Sequence, residues 1–246
     1  MEMESFTLTR AEMSALLLSL TGTSGSTPLN ILQEALTKLH QRMMREGSSL
    51  NAFLSTNIPA ILQKIIKGGK AKGLSLQEIA ALGALIEYST ISITAMQNWV
   101  KRDFKEYLGA PLEGKKYSIN QAAMLFMIDD LKSSLDFRSI NRLFRMLFLK
   151  PERDDDDLLE PVQLYGAYAS LFEENRDSAG HQQDKPWGCE ELAKAAEKAV
   201  KRLSHLNRPQ RETVRNSLLV AAVSVQACYF QTLAKQYFNA SLFLDF

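Results

Sequence analysis

TISITAMQNWVKRDFKEYLGAPLEGKKY, residues Thr90 to Tyr117, is the stretch on which the reading of this chain turns. Thr90 or Ser92 can cap a helix with a side-chain oxygen. Ile93, Met96, Trp99 and Val100 then fall at i, i+3, i+6 and i+7, the spacing of one buried helical face. Thr94, Gln97, Asn98, Lys101 and Arg102 lie mostly on the opposite side. Gln and Asn amides can make paired hydrogen bonds to adenine, and Arg can do so to guanine or to phosphate. Gly109, Pro111 and Gly114 break the chain next. Lys115, Lys116 and Tyr117 follow the last glycine, at what could be a hairpin tip. This is the order of a reading helix followed by a basic wing. A plain solvated helix has the same composition, so the flanking elements decide between the two.

The flanks favour the first reading. Ser75 and Glu78 form a capping box that opens a helix with Leu76, Ile79, Ala80 and Leu82 facing inward. Gly83 ends it, and a short segment through Tyr88 leads into the Thr90 helix: helix, turn, helix. After the wing, Ser118 and Gln121 form a second capping box, followed by Ile119, Ala122, Ala123, Phe126 and Met127. Asp136 caps a further helix whose stripe is Ile140, Leu143, Phe144, Leu147 and Phe148. Arg138, Arg142 and Arg145 lie off that stripe.

Upstream, Thr9 and Glu12 form another capping box, with Met13, Leu16, Leu17 and Leu20 as its stripe. Thr27 caps a helix starting at Pro28. A third helix is expected from about Leu50 to Lys67, followed by a basic, glycine-rich joint from Lys64 to Gly73. Downstream come the acidic run Glu152 to Asp157, an apolar face at Leu164, Tyr165, Tyr168, Leu171 and Phe172, and a polar linker from Asn175 to Gly188. A helix from Cys189 to Leu206 and a longer one from Pro209 to about Asn239 follow, then an apolar tail. The longer helix is apolar on most sides from Leu218 to Phe230 and needs a core or a partner to cover it.

Composition limits the options. The chain has 246 residues, 46% of them hydrophobic, and a net charge of +1. That supports a real core and requires any nucleic-acid affinity to come from local basic clusters. Cys189 and Cys228 have neither metal-like nor redox-like spacing. MEMESF lacks the basic and apolar regions of a signal peptide. The apolar run Ser217 to Phe230 is short for a bilayer span of about 20 residues. These features imply a cytoplasmic protein with no membrane segment. His40, His181 and His205 are scattered, with no nucleophile motif, phosphate loop or metal spacing, so no enzyme, catalytic residue, cofactor or metal is expected. The adjacent pairs Asp129–Asp130 and Glu190–Glu191 are read as solvated.

LSLQEIAAL, ITAMQNWVKR and GKKYSINQAAMLFMIDDLKSSLDFRSINRLF, in that order, resemble the DNA-binding domain of MerR-like regulators. Gly114, Lys115, Lys116 and Tyr117 take the place of that family's wing, and Leu135, Asp136, Phe137 and Ile140 that of a later helix start. The segment Asp103 to Leu112 is longer and more acidic than the family's turn before the wing. A helical C-terminal region replaces the coiled coil that directly follows the domain there. NWVKR, GKKYS, DDLKSSLDF and LYGAYASLFEE, over roughly residues 75 to 175, resemble the YkrK-like family of uncharacterised proteins of Bacillus-type bacteria.

The resemblance implies an all-α, multi-helix protein with a MerR-like winged helix-turn-helix core and a C-terminal helical hairpin. Three regions are expected: an N-terminal helical region (1–73), the winged-helix domain (74–176) and a helical pairing region (189–246). The first functional expectation is a regulator binding double-stranded DNA as a homodimer. Thr94, Gln97 and Asn98 would face bases, while Lys101, Arg102, Lys115, Lys116 and Tyr117 would contact the backbone or groove. No small-molecule effector is named. The alternative is a protein–protein interaction module acting through the apolar C-terminal helix and tail.

Overall fold

The computed structural model describes residues 6–22, 25–45, 58–69, 71–148, 158–180 and 189–244. In chain order the helices are α1 (Arg10–Thr21), α2 (Pro28–Arg45), α3 (Ala60–Gly68), α4 (Leu76–Gly83) and α5 (Ile93–Asn98). One π-helical turn, Trp99–Asp103, continues α5 into α6 (Lys105–Leu108). Then come α7 (Ile119–Leu131), α8 (Phe137–Leu147), α9 (Pro161–Gly180), α10 (Cys189–Lys201) and α11 (Arg208–Leu244). Among the described residues the fold is all-α apart from one small sheet: β1 (Leu74–Ser75) runs antiparallel to β2 (Lys116–Tyr117), Leu74 opposite Tyr117 and Ser75 opposite Lys116.

The helix starts follow from their caps. Thr9 Oγ1 accepts from the Glu12 amide at 3.2 Å while the Glu12 carboxylate accepts from the Thr9 amide at 2.9 Å. Ser75 with Glu78 and Ser118 with Gln121 repeat the device for α4 and α7. Asp136 Oδ1 accepts from the Ser139 amide at 2.7 Å and starts α8. Each such cap satisfies amides that a helix leaves unpaired, for about 1 kcal/mol.

α7 is the central rod. Every residue from Ala122 to Leu131 is buried, so it has no solvent face. α1, α9 and α11 pack against it, and α10 closes over α9 and α11. A single apolar cluster runs from Phe6 through α4, α5 and α7 to Val225. The N-terminal segment is tied in by a parallel bridge between Leu8 and Ile86: Leu8 donates to the Leu85 carbonyl at 2.7 Å, and Glu87 donates back to Leu8 at 3.0 Å.

With no solvent face, α7 must pair its polar residues internally. Asp130 is 3% exposed and Asp129 is 4% exposed, which corrects their reading as solvated carboxylates. Arg10, 2% exposed, meets Asp130 with Nε at 3.0 Å from both carboxylate oxygens and Nη2 at 2.7 Å from Oδ1. Its Nη1 donates to the Glu87 carbonyl at 2.7 Å. The Tyr168 hydroxyl donates to Asp130 Oδ2 at 2.8 Å. Burial works against the Arg10 charge, yet the Asp130 carboxylate beside it holds the guanidinium above its ordinary pKa. Burial, and then Asp130, push the phenols of Tyr165 and Tyr168 well up, so both stay neutral, and Tyr168 is the one that donates to the carboxylate.

Several boundaries differ from the sequence reading. Residues 175–180, read as linker, are the last turns of α9. α11 runs to Leu244, absorbing most of what was read as a tail. Arg208–Leu242 is long and apolar enough, by length and composition alone, to cross a membrane, with a mean hydropathy of 1.4 in its most apolar window. The apolar run Ser217 to Phe230 is only the central part of this helix, and 39% of that window is buried in the fold. The acidic run Glu152 to Asp157, residues 50–57 of the third helix, and the linker and His181 within residues 181–188 lie outside the described residues.

Removing Asp130 leaves a buried, unpaired guanidinium, which costs about 3–5 kcal/mol. Asp130→Ala is expected to lose that much in urea unfolding. The double variant Arg10→Met, Asp130→Leu, which removes both charges, is expected to lose distinctly less. Equal losses in the two proteins would show that the pair has no such role.

Candidate nucleic-acid interface

The reading stretch begins on a loop held from behind. Asp129 Oδ2 accepts from the Ser89 hydroxyl at 2.8 Å and from the Thr90 amide at 3.1 Å. Ser92, rather than Thr90, is the cap of α5, accepting from the Ala95 amide at 3.2 Å. Lys132 Nζ lies 2.6 Å from Asp129 Oδ1 and 5.4 Å above the Trp99 ring. Neighbouring residues on a helix point about 100° apart. Asp130 therefore binds the N-terminal helix while Asp129 binds the loop that launches α5.

Gly83 closes the turn before that loop. A Cβ built there would sit 2.4 Å from Ile91 Cγ2 and 3.1 Å from the Phe126 ring, so only glycine lets α4 approach this closely.

Along α5, Met96, Trp99 and Val100 are buried, while Thr94, Gln97, Asn98, Lys101 and Arg102 are all exposed. The π-helical turn has a packing cause. Trp99 and Phe104 are five residues apart and both buried, which an α-helix would place about 140° apart. The wider turn, closed by the Phe104 amide on the Trp99 carbonyl at 2.9 Å, lets both rings face the core. Phe137 stacks edge-on against both, with ring centres at 6.5 and 5.2 Å. Asn141 Nδ2 donates to the Asp103 carbonyl at 3.1 Å, so α8 braces the turn from beneath.

Within the acidic segment from Asp103 to Leu112, Lys105–Leu108 forms the packed helix α6, and residues 109–112 are an exposed loop. Phe104, Tyr107 and Leu108 are buried, and the exposed Glu106 lies 3.9 Å from Arg145. Gln121 holds the exit of this segment, its amide nitrogen donating to the carbonyls of Leu108 and Ala110.

The basic tip is a tight reversal. Leu112 bridges Lys116, and Gly114 and Lys115 between them both take positive φ, 70° and 58°. Lys115 and Lys116 are exposed, and neither pairs with a carboxylate among the described residues. β2 also has a distant partner: it pairs with β1, immediately before α4. α4 therefore links the two parts, since β1 at its start holds the basic turn and α5 packs on its body.

Tyr117 differs from the other candidates. It is 7% exposed, opposite Leu74, and burial raises its phenol pKa. Its ring belongs to the core, and its place among the contact residues is corrected accordingly. The sequence signal was available, since alternation along β2 puts Lys116 out and Tyr117 in.

Behind the site, a cleft of about 370 Å³ separates the Tyr88–Thr90 loop from α11, with Asp129, Lys132, Phe137 and Cys228 on its wall. Among the described residues no group of three His, Cys, Asp or Glu side chains is placed to hold a metal ion.

Residues 74–168 match a family described as a domain of unknown function, DUF1836. The chain is also 34% identical over 239 residues to a Bacillus subtilis (strain 168) protein described as "Uncharacterized protein YkrK", spanning 94% of this chain and 97% of that one. No solved structure matches.

Gly73 sits where β1 meets β2, and a Cβ there would come within 2.6 Å of the Tyr117 carbonyl oxygen, a backbone atom. Gly73→Ala is expected to lower stability by about 1–3 kcal/mol and to raise amide exchange at Lys116 and Tyr117. Unchanged exchange there would show that the β1–β2 pairing does not depend on this close approach.

Proposed function

We propose that this chain, which belongs to the YkrK family, is a cytoplasmic DNA-binding transcription regulator that reads duplex DNA through α5 and the basic turn at Gly114–Lys116. The observation that carries the reading is the division of one short element. Each of its large apolar side chains from Met96 to Val100 is committed to the core, while Thr94, Gln97, Asn98, Lys101 and Arg102 are presented to solvent. The order of β1, α4, α5, basic turn and β2 supports a MerR-like winged helix-turn-helix. In this reading Thr94, Gln97 and Asn98 meet base edges in the major groove, and Lys101, Arg102, Lys115 and Lys116 meet phosphates. One chain offers few base contacts, so two chains reading a near-palindrome supply the specificity.

A second reading has its own observation. Phe230, Tyr237, Phe238 and Leu242 on α11 are 54%, 69%, 63% and 47% exposed, an apolar surface suited to a protein partner. The two readings are separable by salt, because phosphate neutralisation makes DNA affinity fall steeply with ionic strength and apolar docking does not.

The test is fluorescence anisotropy with duplex DNA from upstream of the protein's own gene, across a salt series. Saturable binding that weakens with salt is expected. Lys101→Ala with Lys116→Ala is expected to flatten the log–log salt slope by about 2 for each bound chain. Absence of binding at low salt would overturn the proposal.

A further inference from the structure

α11 carries two distinct faces. Val214, Leu218, Ala221, Ala222, Val225 and Cys228 are buried against the body. On the other face large residues recur every seven positions: Val223, Phe230 and Tyr237, which are 50%, 54% and 69% exposed, with Leu244 next in sequence. Small residues recur on the same period between them, Ala227, Ala234 and Ser241, following Val220. Together they step by three and four, the spacing of a helix–helix seam. Ala234 and Ser241 are exposed and Ala227 is half-buried, so the body leaves this seam uncovered. Lys235 is the one charged residue from Asn216 to Leu244, so like charges do not oppose self-association.

We propose that this seam pairs with the same seam of a second copy, antiparallel, about a two-fold axis level with Thr232. The pattern of sizes sets the direction. A parallel pair would stack small on small and large on large, leaving voids at Ala234 and crowding at Phe230 and Tyr237. In an antiparallel pair each layer joins the two kinds of position, so every layer between the Val220–Leu244 ends holds one larger and one small side chain.

The register follows as well. Phe230 faces the second copy's Ala234, Tyr237 faces its Ala227, and Val223 faces its Ser241. All three pairs share one midpoint, which is the condition for a closed two-fold contact. The seam from residue 220 to residue 244 is about 37 Å long. The pairing deepens the dimeric reading above, yet it rests on α11 alone and holds whether or not DNA binds.

A bilayer is the competing occupant for so apolar a helix. Gln226, Gln231, Lys235, Gln236 and Asn239 surround its distal half, whereas a membrane span carries few polar side chains facing lipid.

The test uses the full chain. Light scattering at micromolar concentration is expected to give twice 27.7 kDa. Phe230→Glu with Tyr237→Glu, both at exposed positions, is expected to weaken association by more than about 100-fold while helix content by circular dichroism is retained. Direction is read separately, in a background with Cys189 and Cys228 replaced by serine. A mixture of Val223→Cys and Ser241→Cys chains is expected to join through a short bis-maleimide, and Ser241→Cys chains alone are not. A single-chain mass at all concentrations, cross-linking of Ser241→Cys chains to each other, or recovery of the chain on neutral phosphatidylcholine vesicles as a monomer would each overturn the proposal. DNA binding by a monomer would leave the DNA reading standing while this one fell.

Discussion

The fold depends on a carboxylate that cannot reach water. Asp130 sits on a helix buried on all sides, and its charge is tolerable only because Arg10, Tyr168 and a precise geometry come with it. Those partners lie on α1 and α9, while Arg10 also reaches the Glu87 carbonyl beyond α4. Cys228 of α11 approaches the Asp130 carbonyl at 3.7 Å. One residue therefore gathers elements from both ends of the chain. Burial of an ion pair adds little net stability, but it penalises any packing in which one partner is lost. On this chain that penalty fixes how the N-terminal helix docks.

The neighbouring residue carries the same constraint into the candidate site. Asp129 fixes the Ser89–Thr90 loop, and Lys132, bound to it, covers the Trp99 ring. The exposed ridge of α5 is thus supported by a buried polar layer and by the aromatic layer of Phe104, Phe137 and Phe144. Rigid backing of this kind is what a surface needs if its polar side chains are to meet a fixed ligand at low entropic cost.

Much of this was legible in sequence, because local chemistry decides it. The capping boxes at Thr9, Ser75 and Ser118 mark three helix starts, and the three-and-four spacing of Met96, Trp99 and Val100 separates the faces of α5. Long-range consequences were not legible. Asp129 and Asp130 read as solvated because nothing nearby in sequence shows that α7 is surrounded. A clue was present in Arg10: a cation in a helix's first turn opposes the helix dipole, so it needs a distant anion. The π-helical turn was hidden for the same reason, since only packing shows that Trp99 and Phe104 share a side. The extent of α11 was read to about Asn239, and only its last turn to Leu244 was missed, because the apolar residues there read equally as a docking tail.

In the proposed reading, α5 and the basic turn form a ligand-contacting surface on a fixed base. The most direct measurement is hydrogen–deuterium exchange of the full chain with and without saturating duplex DNA. Protection confined to residues 92–103 and 112–117, with α1 and α7 unchanged, is the predicted result. No protection in those two stretches, or protection concentrated on α11 instead, would contradict it.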